Sequence, residues 1–251
     1  MTSTRSKKLL TGLGVLIFWI TLWYLAALKV GKELILPSPL AVLNSLSKLI
    51  VTKEFWQAAF TTILRIITGY LLGVLLAVVL AVATCSSGLL KALLTPIIKV
   101  VRATPVASFI ILALLWMGKS RVPVLMAMLM VAPVIWENVT TQYENIDKDL
   151  LEMAQAYRFT RWQKLRYIYV PAILPGFLAG CVTSMGLAWK SGIAAEVLAQ
   201  PANAIGTNLY YSKIYLETAN LFAWTMVVII LSMCIEKIIT KVIGGQINEN
   251  K

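Results

Sequence analysis

Six apolar runs constrain this chain more than any other feature of it. Residues 9–28, 58–84, 96–117, 122–136, 171–189 and 221–243 are each predominantly hydrophobic. Each is near the roughly 20 residues with which a helix crosses ~30 Å of hydrocarbon. The alternation of strands and amphipathic helices that marks a soluble α/β protein is missing. Composition agrees: 59% of the 251 residues are hydrophobic and 14% charged, where soluble domains average about 45–50% and about 25%. The expectation is an all-α polytopic membrane protein with about six spans. The opening "MTSTRSKKLLTGLGVLIFWITLWYLAAL" resembles a signal peptide, but its core runs through Leu28 to Lys29 with no small-residue cleavage site. It reads as a retained first helix.

The residue inventory narrows the chemistry. Cys85, Cys181 and Cys234 are widely spaced, odd in number and without a CxxC pair, which suggests small hydrophobes rather than a disulfide framework or a metal cage. Histidine is absent, removing the commonest acid–base group and metal ligand. An intramembrane hydrolase is thereby disfavoured. The net charge of +12 reads as orientation rather than nucleic-acid binding. Arg5, Lys7 and Lys8 precede the first run, Lys148, Arg158, Arg161, Lys164 and Arg166 lie between the fourth and fifth, and Lys237, Lys241 and Lys251 end the chain. With six spans the three groups share one side, which the positive-inside rule makes cytoplasmic, and both termini with it. Lys29, Lys32, Lys48 and Lys53 run against this pattern without reversing it.

One basic passage interrupts the oil, "EMAQAYRFTRWQKLRYIYVPAILP" at 152–175. Asp149 to Glu152 matches a helix-capping box, and Thr160 to Gln163 repeats it. Two short helices meeting near Phe159–Thr160 are expected. Leu150, Leu151, Ala154 and Tyr157 form an apolar face on the first, and Trp162, Leu165 and Tyr169 on the second. Pro171 is expected to end the second helix, and Pro175 to sit near the start of the next span. Such a unit either floats among lipid headgroups or seats in a groove of a soluble partner.

The passage resembles the EAA loop of ATP-binding-cassette importer permeases, with Glu152, Met153 and Ala154 as the triplet and Arg158 where the family has glycine. The order of "TTILRIITGYLLGVLLAV" (61–78), "VVRATPVASFIILALLWMG" (100–118) and "GLAWKSGIAAEVLAQPANAIGTNLYYSKIYLETANLFAWTMVVIILSMCIEK" (186–237) is similar to the nitrate/sulfonate/taurine branch. Arginine at 158 lacks the freedom of glycine at positive φ, so a differently shaped turn is expected there. The resemblance implies a type-1 transmembrane domain at 57–241, with its coupling loop at about 149–171. An N-terminal helix and external amphipathic segment would precede it at 1–56, and a cytoplasmic tail would follow at 242–251.

It further implies a permease without catalytic, cofactor or metal residues, paired with a second permease in a bacterial inner membrane. Two cytoplasmic ATPase subunits and an extracytoplasmic binding protein would complete the importer. The chain carries no GxxxxGK[ST] phosphate loop, so ATP would be spent by the partner. Docking is expected to fall on Glu152, Ala154, Tyr157, Arg158, Arg161 and Trp162.

Charges inside spans are costly, about 2.5–3.5 kcal/mol each on insertion scales, and usually functional. Arg65 is expected to snorkel to the outer interface. Arg102, beside the helix interruption at Pro105, either lines the path or forms an ion pair between helices. Lys190 and Glu196, six residues apart, lie about 600° apart around a helix and share no face unless Gly192 breaks it. They are expected to flank the path or steady its outer gate, the alternative being burial against the paired permease. Segment 30–57 suggests an interfacial helix and 200–218 a polar outer loop. The tryptophans suggest an aromatic belt. An ion-coupled secondary carrier is the alternative function, with Glu196 its main candidate acid. The substrate stays open between small oxyanions, sulfonates and vitamin precursors.

Overall fold

The computed structural model describes the backbone of residues 2–249 and the side chains of residues 14–241. Arg5, Lys7, Lys8 and Lys251 lie outside the described side chains. The elements in chain order are α1 (Thr2–Val30), α2 (Pro39–Ile50), α3 (Lys53–Ser86), α4 (Gly88–Ala103), α5 (Val106–Trp116), α6 (Val122–Glu144), α7 (Lys148–Ala156), α8 (Arg161–Lys164), a π-helical turn (Leu165–Tyr169), α9 (Val170–Ala199), α10 (Ile205–Ile214) and α11 (Thr218–Glu249). No strand occurs among the described residues.

α6 is the centre of the bundle, and small residues let its neighbours approach. Gly69 and Gly73 of α3 lie against α6. A Cβ on Gly69 would stand 2.4 Å from the Val124 carbonyl oxygen, and one on Gly73 2.7 Å from the Val131 Cβ. Ala77, Ala81 and Thr84 continue the buried stripe at four- and three-residue spacing. α9 repeats the device, with Gly176 against Gln142 and Gly180 against Ile135. Small residues at such spacing are how membrane helices gain close van der Waals packing in the absence of a hydrophobic drive.

These contacts also fix the path of the chain. Gly69 meets Val124 while Trp136 donates to the Thr84 hydroxyl at 3.0 Å, so α3 and α6 run in the same direction. The intervening segment must therefore return across the bundle. Lys91 pairs with Glu144 and Arg102 with Glu137, and Ile110 and Ala113 then pack with Val122 and Met126. At about 1.5 Å per residue, α4 and α5 are roughly 24 and 17 Å long, each too short to cross alone. Together they make one crossing, bent by 104°. Pro105 causes the bend: it cannot donate to the ladder, and it forces Thr104 into an extended conformation. The expected third span is thus a broken one that begins at Gly88.

α9 runs back, with Tyr70 donating to the Cys181 carbonyl at 3.0 Å and Gly192 against Ile66. α11 reverses again, through the Phe55–Trp224 stack and the Trp189 indole bonded to the Val228 carbonyl. Trp23 of α1 stacks on Phe222, and the α2 residue Ser45 bonds Asn220. One end of the bundle therefore holds α7 and α8, with the last turns of α3 and α6. The other end holds α2 and α10.

Several expectations are corrected here. Pro171 does not end a helix: residues 161–199 form one continuous helical rod. The Val170 amide donates to the Leu165 carbonyl, five residues back, and this wider π turn opens the carbonyl ring that the pyrrolidine would otherwise strike. Gly192 does not break α9 either; its bare backbone admits Ile66, to which a Cβ would come within 2.6 Å. Segment 200–218 is largely helical rather than an open loop, with Ala204, Ile205, Gly206 and Thr207 buried. Trp136, Trp189 and Trp224 are core residues, not belt residues. The interfacial-helix reading of 30–57 corresponds to α2, whose N-terminus is capped by Ser38 accepting from the Ala41 amide at 3.2 Å.

Candidate functional site

The basic passage folds as a small hairpin of helices with its own core. Asp147, not Asp149, caps α7: its carboxylate accepts from the Asp149 amide at 2.9 Å. Asp149 lies in the first turn, beside the positive end of the helix dipole. The Asp149–Glu152 capping box is therefore absent, because the cap was claimed two residues earlier. The second box is present as expected. The Thr160 amide donates to Gln163 Oε1 at 2.8 Å, and the Gln163 amide donates to Thr160 Oγ1 at 3.2 Å.

Between the boxes the chain turns on Arg158, at φ +52°. The Phe159 amide donates to the Ala154 carbonyl at 2.9 Å and the Arg158 amide to Gln155 at 3.0 Å. This pair of bonds is a Schellman motif, in which glycine is the usual left-handed residue. Arginine has not rebuilt the turn. It adopts the glycine conformation, at a cost of about 1–2 kcal/mol.

Beneath the hairpin Ile146, Ala154 and Ile168 form a cluster, joined by Leu151 and Phe159. Tyr143 of α6 stacks on Tyr169 with ring centres 5.6 Å apart. Ala154 is fully buried here, which corrects its place in the expected docking surface: any larger side chain would push the hairpin off the bundle. The outward face carries Glu152, Arg158 and Arg161, with Tyr157 75% and Trp162 66% exposed. Leu150 and Met153 share that outward face. Sequence alone groups Leu150 with Leu151, Ala154 and Tyr157 on one apolar face; only the burial of Leu151 and Ala154 fixes the rotation of α7. Because α8 continues through the π turn into α9, the hairpin is one end of a rod that traverses the bundle.

At the opposite end the charged residues group differently from expectation. Glu196 is completely buried, and its carboxylate accepts from the Arg65 guanidinium at 3.2 Å and the Gly206 amide at 3.1 Å. The Thr62 hydroxyl lies 2.8 Å from Oε2 and accepts in turn from the Ile205 amide at 3.0 Å. Arg65 also donates to the Ala202 carbonyl at 2.9 Å. Glu196 thus ties α3, α9, the 200–204 turn and α10 together. Of the two expected roles, flanking the path does not suit it, since a carboxylate with every partner satisfied internally offers nothing to a passing solute; a tie between elements at this end is the arrangement that steadying a gate would need. Arg65 is a member of this clamp rather than a free snorkelling side chain. Lys190 is exposed on α9 and is not brought near Glu196. Arg102 takes the ion-pair reading, with Glu137, and both side chains stay about half exposed.

The comparisons agree with this architecture. Residues 69–243 match the family described as binding-protein-dependent transport system inner membrane component. The chain is 25% identical over 239 residues to the taurine transport system permease protein TauC of Escherichia coli (strain K12), covering 92% of this chain and 86% of that one. It is 32% identical over 203 residues to the putative aliphatic sulfonates transport permease protein SsuC of the same organism, covering 79% and 76%. A third relative, the riboflavin transport system permease protein RibX of Chloroflexus aurantiacus, is 34% identical over 166 residues, covering 66% and 62%. An amino acid ABC transporter superposes with TM-score 0.64 at 16% identity, over 79% of this chain and 95% of that one. The MetNI methionine ABC transporter superposes with TM-score 0.59 at 17% identity, over 76% and 93%. The chain belongs to the binding-protein-dependent inner-membrane permease family and is the multi-pass membrane subunit of an ATP-binding-cassette importer.

Proposed function

We propose that the hairpin 147–164 is the ATPase-docking element of this permease and that the α8–α9 rod carries its displacement into the bundle. The observation behind this reading is the combination of a stiff, doubly capped hairpin, an aromatic and basic outward face, and unbroken helix from Arg161 to Ala199. Two ATPase subunits, each seated on one permease, close on ATP and push the hairpins. An interface with two discrete arrangements then converts a small shift into tilting of packed helices. ATP is bound and hydrolysed by those partners, and this chain contributes no cofactor site.

The hairpin end faces the cytoplasm, with both termini, in keeping with the basic residues clustered there. The α2–α10 end faces outward and receives solute from a binding protein. A second copy, or a related permease, supplies the other wall of the path. Coming from relatives that carry taurine and sulfonates, the solute is a small nutrient of that kind. The proposed boundaries are 1–56 as an N-terminal transmembrane helix with an external amphipathic segment, 57–241 as the transporting domain and 242–251 as a cytoplasmic tail.

Cross-linking in membranes of cells expressing the whole importer tests the docking role. A cysteine replacing Trp162 should cross-link to the ATPase subunit, and added nucleotide should change the yield. A Trp162→Cys variant labelled only by reagents applied outside the cell would overturn the assignment.

A further inference from the structure

The bundle has one lateral face unlike the rest. On α3 the exposed side between residues 71 and 82 is leucine and valine alone, Leu71, Leu75, Val78, Val79 and Val82 among them, as lipid contact requires. α4, α6 and α9 expose polar groups as well as apolar ones. Half-buried Thr95 and exposed Lys99 and Arg102 follow one another at four- and three-residue spacing on α4, beside Ile98, which turns into the core. Glu137 and Thr141 do the same on α6, joined to α4 by the Arg102–Glu137 pair. On α9 the exposed stripe is Ala179, Thr183, Leu187, Lys190 and Ala194. It lies roughly half a turn from Cys181 and Gly192, which meet α3. The α9 stripe therefore opens away from α3, and the Arg102–Glu137 pair joins the α4 stripe to that of α6.

Charged groups at this depth do not face hydrocarbon, because each would cost a few kcal/mol; they face water or protein. The charges on this face do not balance. Lys91, Lys99, Arg102 and Lys190 stand against Glu137 and Glu144, and Lys99 and Lys190 form no ion pair among the described residues. A surplus of two positive charges is left. It is spread out: Lys190 is seven residues beyond Thr183, about 10 Å along the helix toward the outer end. We infer that Lys99 and Lys190 make this face an anion-selective wall, which passes a small solute carrying an acidic group from Lys190 past Thr183 to Lys99. The inference rests on the importer reading above, since it takes the face as the wall of the solute path. Low-dielectric walls of one charge sign focus the field and concentrate counter-ions. Each lysine alone holds the anion weakly, so it can leave for the next.

Thiol modification tests this without knowledge of the solute. Cys85, Cys181 and Cys234 are first replaced by alanine in the whole importer, and Thr183→Cys, Leu75→Cys and, at an exposed turn with no assigned role, Ser120→Cys are made separately. Each is treated with methanethiosulfonate ethylsulfonate, an anion, and with its trimethylammonium counterpart, a cation. The anion-to-cation rate ratio at Thr183→Cys, normalised to Ser120→Cys, should exceed one. It should fall by about threefold or more on Lys190→Gln or Lys99→Gln and survive Lys190→Arg, as expected of a local electrostatic field. Leu75→Cys should stay unreactive. If Thr183→Cys reacts with neither reagent while Ser120→Cys reacts, the face is not a water-filled wall and the path assignment itself fails. If it reacts without charge preference, or keeps its preference in both lysine variants, the path stands and anion selection by these lysines is wrong.

Discussion

The Arg65 guanidinium donates to the Glu196 carboxylate at 3.2 Å across 131 positions of sequence, and the acid it meets is completely buried. Breaking a buried pair by removing one partner typically costs about 3–5 kcal/mol, because the other is left uncompensated. Glu196→Ala should lower the stability of the purified protein by that order in a thermal denaturation series. Amide exchange at Ile205 and Gly206 should quicken as well, since both lose their acceptor network. Unchanged stability together with unchanged exchange would show that the clamp does not hold α10.

Two glycines offer a matched comparison. A Cβ at Gly69 would stand 2.4 Å from a backbone carbonyl oxygen of α6, whereas one at Gly186 would meet nothing within 4 Å. Gly69→Ala should destabilise by about 1–3 kcal/mol, the usual cost of overpacking. Gly186→Ala should be neutral or slightly stabilising, from reduced unfolded-chain entropy. Equal effects on melting temperature would contradict the packing of α3 on α6.

Arg158→Gly should stabilise the hairpin. The residue sits at φ +52°, where arginine is strained by about 1–2 kcal/mol and glycine is not. Exchange protection of the Phe159 amide, which closes the Schellman motif, should rise. A loss of protection would mean that the guanidinium, rather than the backbone, holds the turn.

Ala154 and Tyr157 separate packing from docking. Ala154 is fully buried under the hairpin and Tyr157 is 75% exposed. Ala154→Leu should displace the hairpin and reduce stability by about 1–3 kcal/mol. Tyr157→Ala should change the stability by no more than about 0.5 kcal/mol, as a surface change does, while weakening ATPase association in pull-down measurements. Normal association by Tyr157→Ala would remove it from the docking face.

The legible part of the fold was whatever local pattern dictates. Apolar runs announced the spans, Thr160 and Gln163 announced their box, and Pro105 announced a broken helix. Long-range partners were not legible. Nothing near Glu196 in sequence reveals that Thr62 and Arg65 surround it, so sequence alone leaves it between a path group, a gate support and a buried contact, whereas the structure makes it a clamp. Trp136 and Trp189 read as belt residues because their acceptors, Thr84 and Val228, lie 52 and 39 positions away. Local competition caused the remaining errors: Asp147 and Asp149 could both cap α7, and Pro171 would stop a helix that did not widen into a π turn first. Arg102 and Lys190 were legible as charges in spans. The stripe they share with Lys99 emerges only once α4, α6 and α9 are set side by side.

The central claim is that hairpin motion reaches the bundle through continuous helix, and the junction at Tyr169–Val170 tests it most directly. Two glycines inserted there should loosen the rod without touching the docking face or the outer clamp. Vesicles containing the whole importer should then hydrolyse ATP at close to the unmodified rate while solute uptake per ATP falls to background. Uptake that keeps pace with hydrolysis in the inserted variant would contradict the account.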